Sequence, residues 1–132
     1  MKRYIKKIIS IMCAMILLIV TAIPTYAATP RYRYINSMTV SLSCDDNNAY
    51  CYITVNGSSE VSGYINGTAT LTDENGTVYG NWTNLSMTGD DFHWAKTVLN
   101  VPTGHRYTLD FTITASVSGR PETISGDCEY LY

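Results

Sequence analysis

The residues of this 132-residue chain best suited to chemistry are few: Cys44, Cys51, Cys128, His93, His105 and eleven carboxylates. A thiol nucleophile needs a base beside it and an electropositive setting. Neither histidine lies near a cysteine in sequence. Zinc sites built on cysteine favour a C-x₂₋₄-C pair, and the chain has none. Asp45-Asp46-Asn47-Asn48 and Asp90-Asp91 are acidic loops that would serve calcium only by converging at one end of the fold. No D-x-D-x-D-G pattern is present, and Asx residues of this kind commonly make turns. Paired carboxylates for glycoside hydrolysis need a cleft that a domain this short hardly offers. No G-x-S-x-G, H-E-x-x-H, P-loop or dinucleotide fingerprint occurs. The expectation is a protein that is not an enzyme, with no metal and no cofactor.

The aromatic residues are more informative. Nine of the eleven tyrosines and both tryptophans follow residue 27. In "AYCYITV" (49–55), Ala49, Cys51, Ile53 and Val55 alternate with Tyr50, Tyr52 and Thr54. If the first set faces a core, Tyr50 and Tyr52 face out. Flat rings on an outer sheet face stack on sugars or anchor a protein partner. Tyr50 and Tyr52 are therefore the candidate binding residues, against the plainer reading of strand-forming residues on a half-exposed face. Tyr32 and Tyr34 lie in an entry segment, "RYRY".

These residues must be positioned by strands. The chain after residue 27 shows no helical period but repeated alternation, rich in Thr, Val, Ile and Tyr and broken by turns. Seven strands are expected, at 37–44, 49–55, 62–72, 76–85, 92–101, 106–117 and 121–131. Along 62–72 the pattern lines up Ile65, Gly67, Ala69 and Leu71, with Asn66-Gly67 marking either a bulge or a split. Asn-Gly pairs at 56–57, 66–67 and 75–76 favour the positive φ of tight turns, and "DENG" (73–76) is the best hairpin turn. A first hairpin turning at Asn47-Asn48 would oppose Leu42 with Ile53, Val40 with Val55 and Cys44 with Cys51. Cys44–Cys51 is then the candidate disulfide. Pairing of either with Cys128, or three buried thiols, are the alternatives.

The first 27 residues read as a signal peptide. Lys2, Arg3, Lys6 and Lys7 precede an apolar run from Ile8 to Val20, Pro24 breaks the helix, and Thr25-Tyr26-Ala27 suits cleavage after Ala27. The run is short for a membrane span. The pattern resembles secreted proteins of Gram-positive bacteria, with an entry segment at 28–35 and one domain at 36–132. Cleavage leaves five basic and eleven acidic residues, a net charge of −6. That surface disfavours nucleic acid and anionic lipid. The Asn-x-Ser/Thr sequences read as turn and strand composition in a bacterial setting.

"VPTGHRYTL" (101–109) gives the architecture a more specific form. Val101-Pro102-x-Gly104-x-x-Tyr107, followed by alternating apolar residues, resembles the E–F junction of fibronectin type III domains. There a tyrosine hydroxyl bonds backward to the loop and ties the corner. The resemblance implies a seven-stranded antiparallel, immunoglobulin-like β-sandwich with Tyr107 as a structural tyrosine corner. The early core tryptophan of that family is missing, and Trp82 or Trp94 is expected to fill its space. The whole chain also resembles small secreted β-proteins of clostridial bacteria, a likeness that implies no activity. The function expected is a secreted binding module for an extracellular glycan or protein, with no membrane association after cleavage. A structural scaffold is the alternative, and a hydrolase a distant one.

Overall fold

The computed structural model describes residues 32–132. The signal-peptide reading of 1–27 and the first part of the entry segment fall outside those residues. Seven strands follow in order: β1 (Ile35–Asp45), β2 (Asn48–Gly57), β3 (Val61–Asp73), β4 (Val78–Thr88), β5 (Asp91–Leu99), β6 (Arg106–Val117) and β7 (Glu122–Leu131). They form two antiparallel sheets, ordered β1-β2-β5 and β4-β3-β6-β7. Their inner faces share one core, in which Ile53, Val55, Leu71, Phe92, Leu109, Phe111, Ile113 and Ile124 are buried. Among the described residues no helix is long and apolar enough to cross a membrane.

The first hairpin corrects the expected register. It turns at Asp46-Asn47, both with positive φ (49° and 61°), as a two-residue hairpin turn with the native twist requires. Leu42 therefore faces Cys51, Val40 faces Ile53, and Cys44 faces Ala49. Cys44 and Cys51 are diagonal neighbours instead of partners, and Cys44, Cys51 and Cys128 are all free. The expected Cys44–Cys51 bridge depended on a turn one residue later.

β3 carries the second correction. Its pairing with β6 slips between Ile65 and Thr68, where Asn66 takes φ 54°. One extra residue flips the strand's faces. Tyr64 is 1% exposed and Ile65 is 46% exposed, the reverse of the expected lineup, while Ala69 and Leu71 beyond the bulge are buried. Asn66-Gly67 is a bulge in a continuous strand. At Asn56-Gly57 neither residue takes positive φ. Gly57 is needed for close approach instead: a Cβ there would lie 2.6 Å from the Asp90 carbonyl and 2.7 Å from the Tyr64 hydroxyl.

The two sheets are tied to each other along both flanks. Trp82 of β4 and Trp94 of β5 meet edge to face, ring centroids 5.0 Å apart. Both are packed against the core, so two tryptophans close one flank. On the other flank, Glu122 grips the entry segment, accepting from the amides of Arg33 (2.7 Å) and Tyr34 (2.9 Å). The Tyr32 hydroxyl donates to the Ser125 carbonyl and accepts from the Ser125 amide, each at 3.1 Å.

Candidate functional site

The outer face of the three-stranded sheet carries the expected binding residues. β2 is its central strand, and the inward burial of Ala49, Cys51, Ile53 and Val55 turns Tyr50 and Tyr52 outward, 42% and 46% exposed. Register decides what surrounds them. Tyr50 lies between Ser43 of β1 and Thr97 of β5; Tyr52 lies between Ser41 and Ala95. Every flanking side chain is small. The two side chains share this face, about 7 Å apart along the strand. The next row is Thr39, Thr54 and His93. His93 is on this outer face, remote from the inward cysteines.

The buried thiols are poor nucleophiles. Burial, with Cys44 adding to it, pushes Cys51 up to about 11, and burial raises Cys44 as well. An activated thiolate needs the opposite shift.

One end of the domain holds a polar cluster of which the sequence revealed only Tyr107. Tyr107 is fully buried and its hydroxyl donates to the Pro102 carbonyl, five residues back. Tyr79 packs edge-on against it, centroids 5.4 Å apart. Asp73 ends β3 with Oδ1 accepting from the amides of Asn75 and Thr77, each at 2.9 Å. Partial burial alone would raise its carboxyl. The Thr77 and Asn75 amides and the Thr77 and Tyr79 hydroxyls outweigh that and hold it below the usual range. Glu74 Oε1 meets His105 Nδ1 at 2.9 Å, and Oε2 accepts from the Arg106 amide at 3.1 Å. The donor atoms of Asp73, Glu74 and His105 lie within 4.8 Å of one another, a set able to hold a divalent cation. Each residue already has a partner within the fold. The arrangement as it stands cross-links the β3–β4 turn to the corner before β6. The "DENG" turn was legible, but nothing in the sequence joins Glu74 to His105.

The two acidic loops do not converge. Asp45-Asp46 sits at the β2 end opposed to Leu99, and Asp90-Asp91 at the end opposed to Asn56. They lie at opposite ends of one sheet. Near the second loop, the Asp90 carbonyl accepts from both the Gly57 amide and the Tyr64 hydroxyl, each at 2.7 Å. A shallow depression of about 560 Å³ opens beside the start of β3, lined by Ser62, Ile65, Ser86, Met87 and Ser116 among others.

No protein-family model matches this chain, and no curated protein matches it in sequence.

Proposed function

We propose that this protein is a small secreted, non-enzymatic binding module of fibronectin type III-like architecture, recognising an extracellular glycan or, second to that, an extended protein segment. The observation that carries the reading is the pair Tyr50 and Tyr52. These two half-exposed side chains share the outer face of a central strand, flanked by serine, threonine and alanine and spaced for neighbouring units of an extended ligand. The three-plus-four strand order and the bond from Tyr107 to Pro102 support the fibronectin-type assignment. The basic, apolar and small-residue sequence of 1–27 supports export with cleavage after Ala27.

The test is retention on an array of host and bacterial polysaccharides, followed by Tyr50→Ala with Tyr52→Ala. The double variant is expected to lose retention while its urea midpoint stays near wild type. Unchanged retention in a folded double variant ends the aromatic-face reading.

A further inference from the structure

We propose that β1 pairs edge to edge, antiparallel, with β1 of a second copy of this chain, joining the two three-stranded sheets into one of six strands. Four strands lie at sheet edges: β1, β5, β4 and β7. Three are defended in ways that discourage pairing. β4 is irregular, with three register shifts against β3 and positive φ at Asn84. β5 places Lys96 on its inward side, opposite Cys51, yet exposed. β7 carries Glu122, Asp127 and Glu129, and Tyr32 occupies the backbone of Ser125. β1 has none of these devices. From Asn36 to Cys44 it contains no charge, proline or glycine, and its one irregularity lies at its start, between Ile35 and Ser37.

The turn fixes which backbone groups are free. A two-residue turn closed by Asp45 and Asn48 makes that pair hydrogen-bonded. Ser43, Ser41 and Thr39 then also bond to β2, leaving the N–H and C=O of Met38, Val40, Leu42 and Cys44 directed away from it. A second β1, centred on Val40, meets these groups in register. Val40 faces Val40, Met38 faces Leu42 and Thr39 faces Ser41, so inward residues stay with inward and outward with outward.

Self-complementary register selects a copy of the same chain as the occupant, and charge sets antiparallel as the direction. Residues 28–132 are acidic overall, yet β1 brings no like charges together. Its two ends differ: Arg33 precedes the strand and Asp45-Asp46 closes it. Glu122 stands beside Arg33, so the first end is near neutral; antiparallel pairing keeps the two Asp45-Asp46 ends apart, whereas parallel pairing would set them side by side. The joined sheet would also place the two Tyr50–Tyr52 pairs on one face, three strand spacings or about 14 Å apart. The pairing itself does not depend on what those tyrosines bind.

A single strand pair is smaller than a standard interface, so a weak dimer that dissociates on dilution is expected. Arg31–Tyr132 is a compact unit holding the whole described core, so residues 28–132 serve for the measurement. Sedimentation velocity should show monomer passing to dimer as concentration rises. Thr39→Lys with Ser41→Lys sets like charges directly opposite and should give monomer with an unchanged near-ultraviolet spectrum. Thr39→Glu with Ser41→Glu should do the same, and mixing the two variants should restore the dimer. Ala95→Lys with Thr97→Lys on β5 should leave it intact. Wild type that stays monomeric at about 1 mM overturns the proposal. So does a dimer surviving in the lysine variant, failure of the mixture to reassociate, or loss of the dimer through the β5 substitutions.

Discussion

Tyr64 and Tyr107 point into this molecule; Tyr50 and Tyr52 point out of it. The residue type is the same and the surroundings are opposite. Each inner tyrosine is buried beside another aromatic and donates its hydroxyl to one carbonyl, Asp90 for Tyr64 and Pro102 for Tyr107. The two ties sit at opposite ends of the domain. The outer pair is flanked by serine, threonine and alanine and reaches water. In this protein, strand parity assigns a tyrosine to structure or to surface, and the partner of its hydroxyl decides how firmly it is held.

The sharpest way to break this comparison is truncation. Tyr107→Ala or Tyr64→Ala removes a fully packed ring and should destabilise by about 3–5 kcal/mol, read from urea midpoints. Either substitution tolerated at under about 1 kcal/mol would mean the inner and outer tyrosines are not distinct.

Alkali provides the next test. Burial, with Asp91 and Asp90 adding to it, raises Tyr64 to about 12; burial, with Tyr79 next, raises Tyr107 to about 12. A hydroxyl raised on folding contributes stability that is complete below its unfolded value near 10 and is lost as pH climbs to the folded value. Buried Cys51, raised to about 11, acts in the same direction from about pH 9. The urea midpoint should therefore fall between about pH 9 and 12. Tyrosinate absorbance from Tyr64 and Tyr107 should appear only toward about pH 12.

Deleting only the hydroxyl is subtler. Tyr107→Phe should cost roughly 0.5–1.5 kcal/mol, more if the Pro102 carbonyl is left dry. Tyr50→Phe and Tyr52→Phe should shift the midpoint by less than about 0.5 kcal/mol. Equal midpoints for Tyr107→Phe and wild type would remove the hydroxyl from the account of the corner.

How much of this was legible in the sequence follows from parity. In β6 the alternation of Tyr107, Leu109, Phe111, Ile113, Ala115 and Val117 runs unbroken, and the strand spans the expected 106–117. The outward reading of Tyr50 and Tyr52 survived a misplaced turn because moving the turn by one residue changes partners without changing faces. The same fact hid the true neighbours of Cys44 and Cys51, since alternation cannot tell those registers apart. The left-handed backbone at Asp46 and Asn47 does. In β3 the extra residue at Asn66 exchanged Ile65 for Tyr64 in the core, so the second inner tyrosine went unseen. β5 ended at Leu99 because Asn100 turns the chain with φ 60°, leaving Val101 to fill the core from a loop. The bond between Glu74 and His105 joins two loops 31 residues apart, beyond any local pattern.

The grip of Glu122 on the amides of Arg33 and Tyr34, with Tyr32 on Ser125, has a mechanical meaning. Tension applied through the chain before residue 32 reaches these contacts before it reaches β1. It would have to detach a carboxylate from two amides and a tyrosine from a strand backbone before the first hairpin could unzip. The load is passed across to β7, whose ladder against β6 runs from Ala115–Glu122 to Arg106–Leu131. A pull from that side therefore meets a clamp spanning both sheets, and the first hairpin is shielded from bearing it alone.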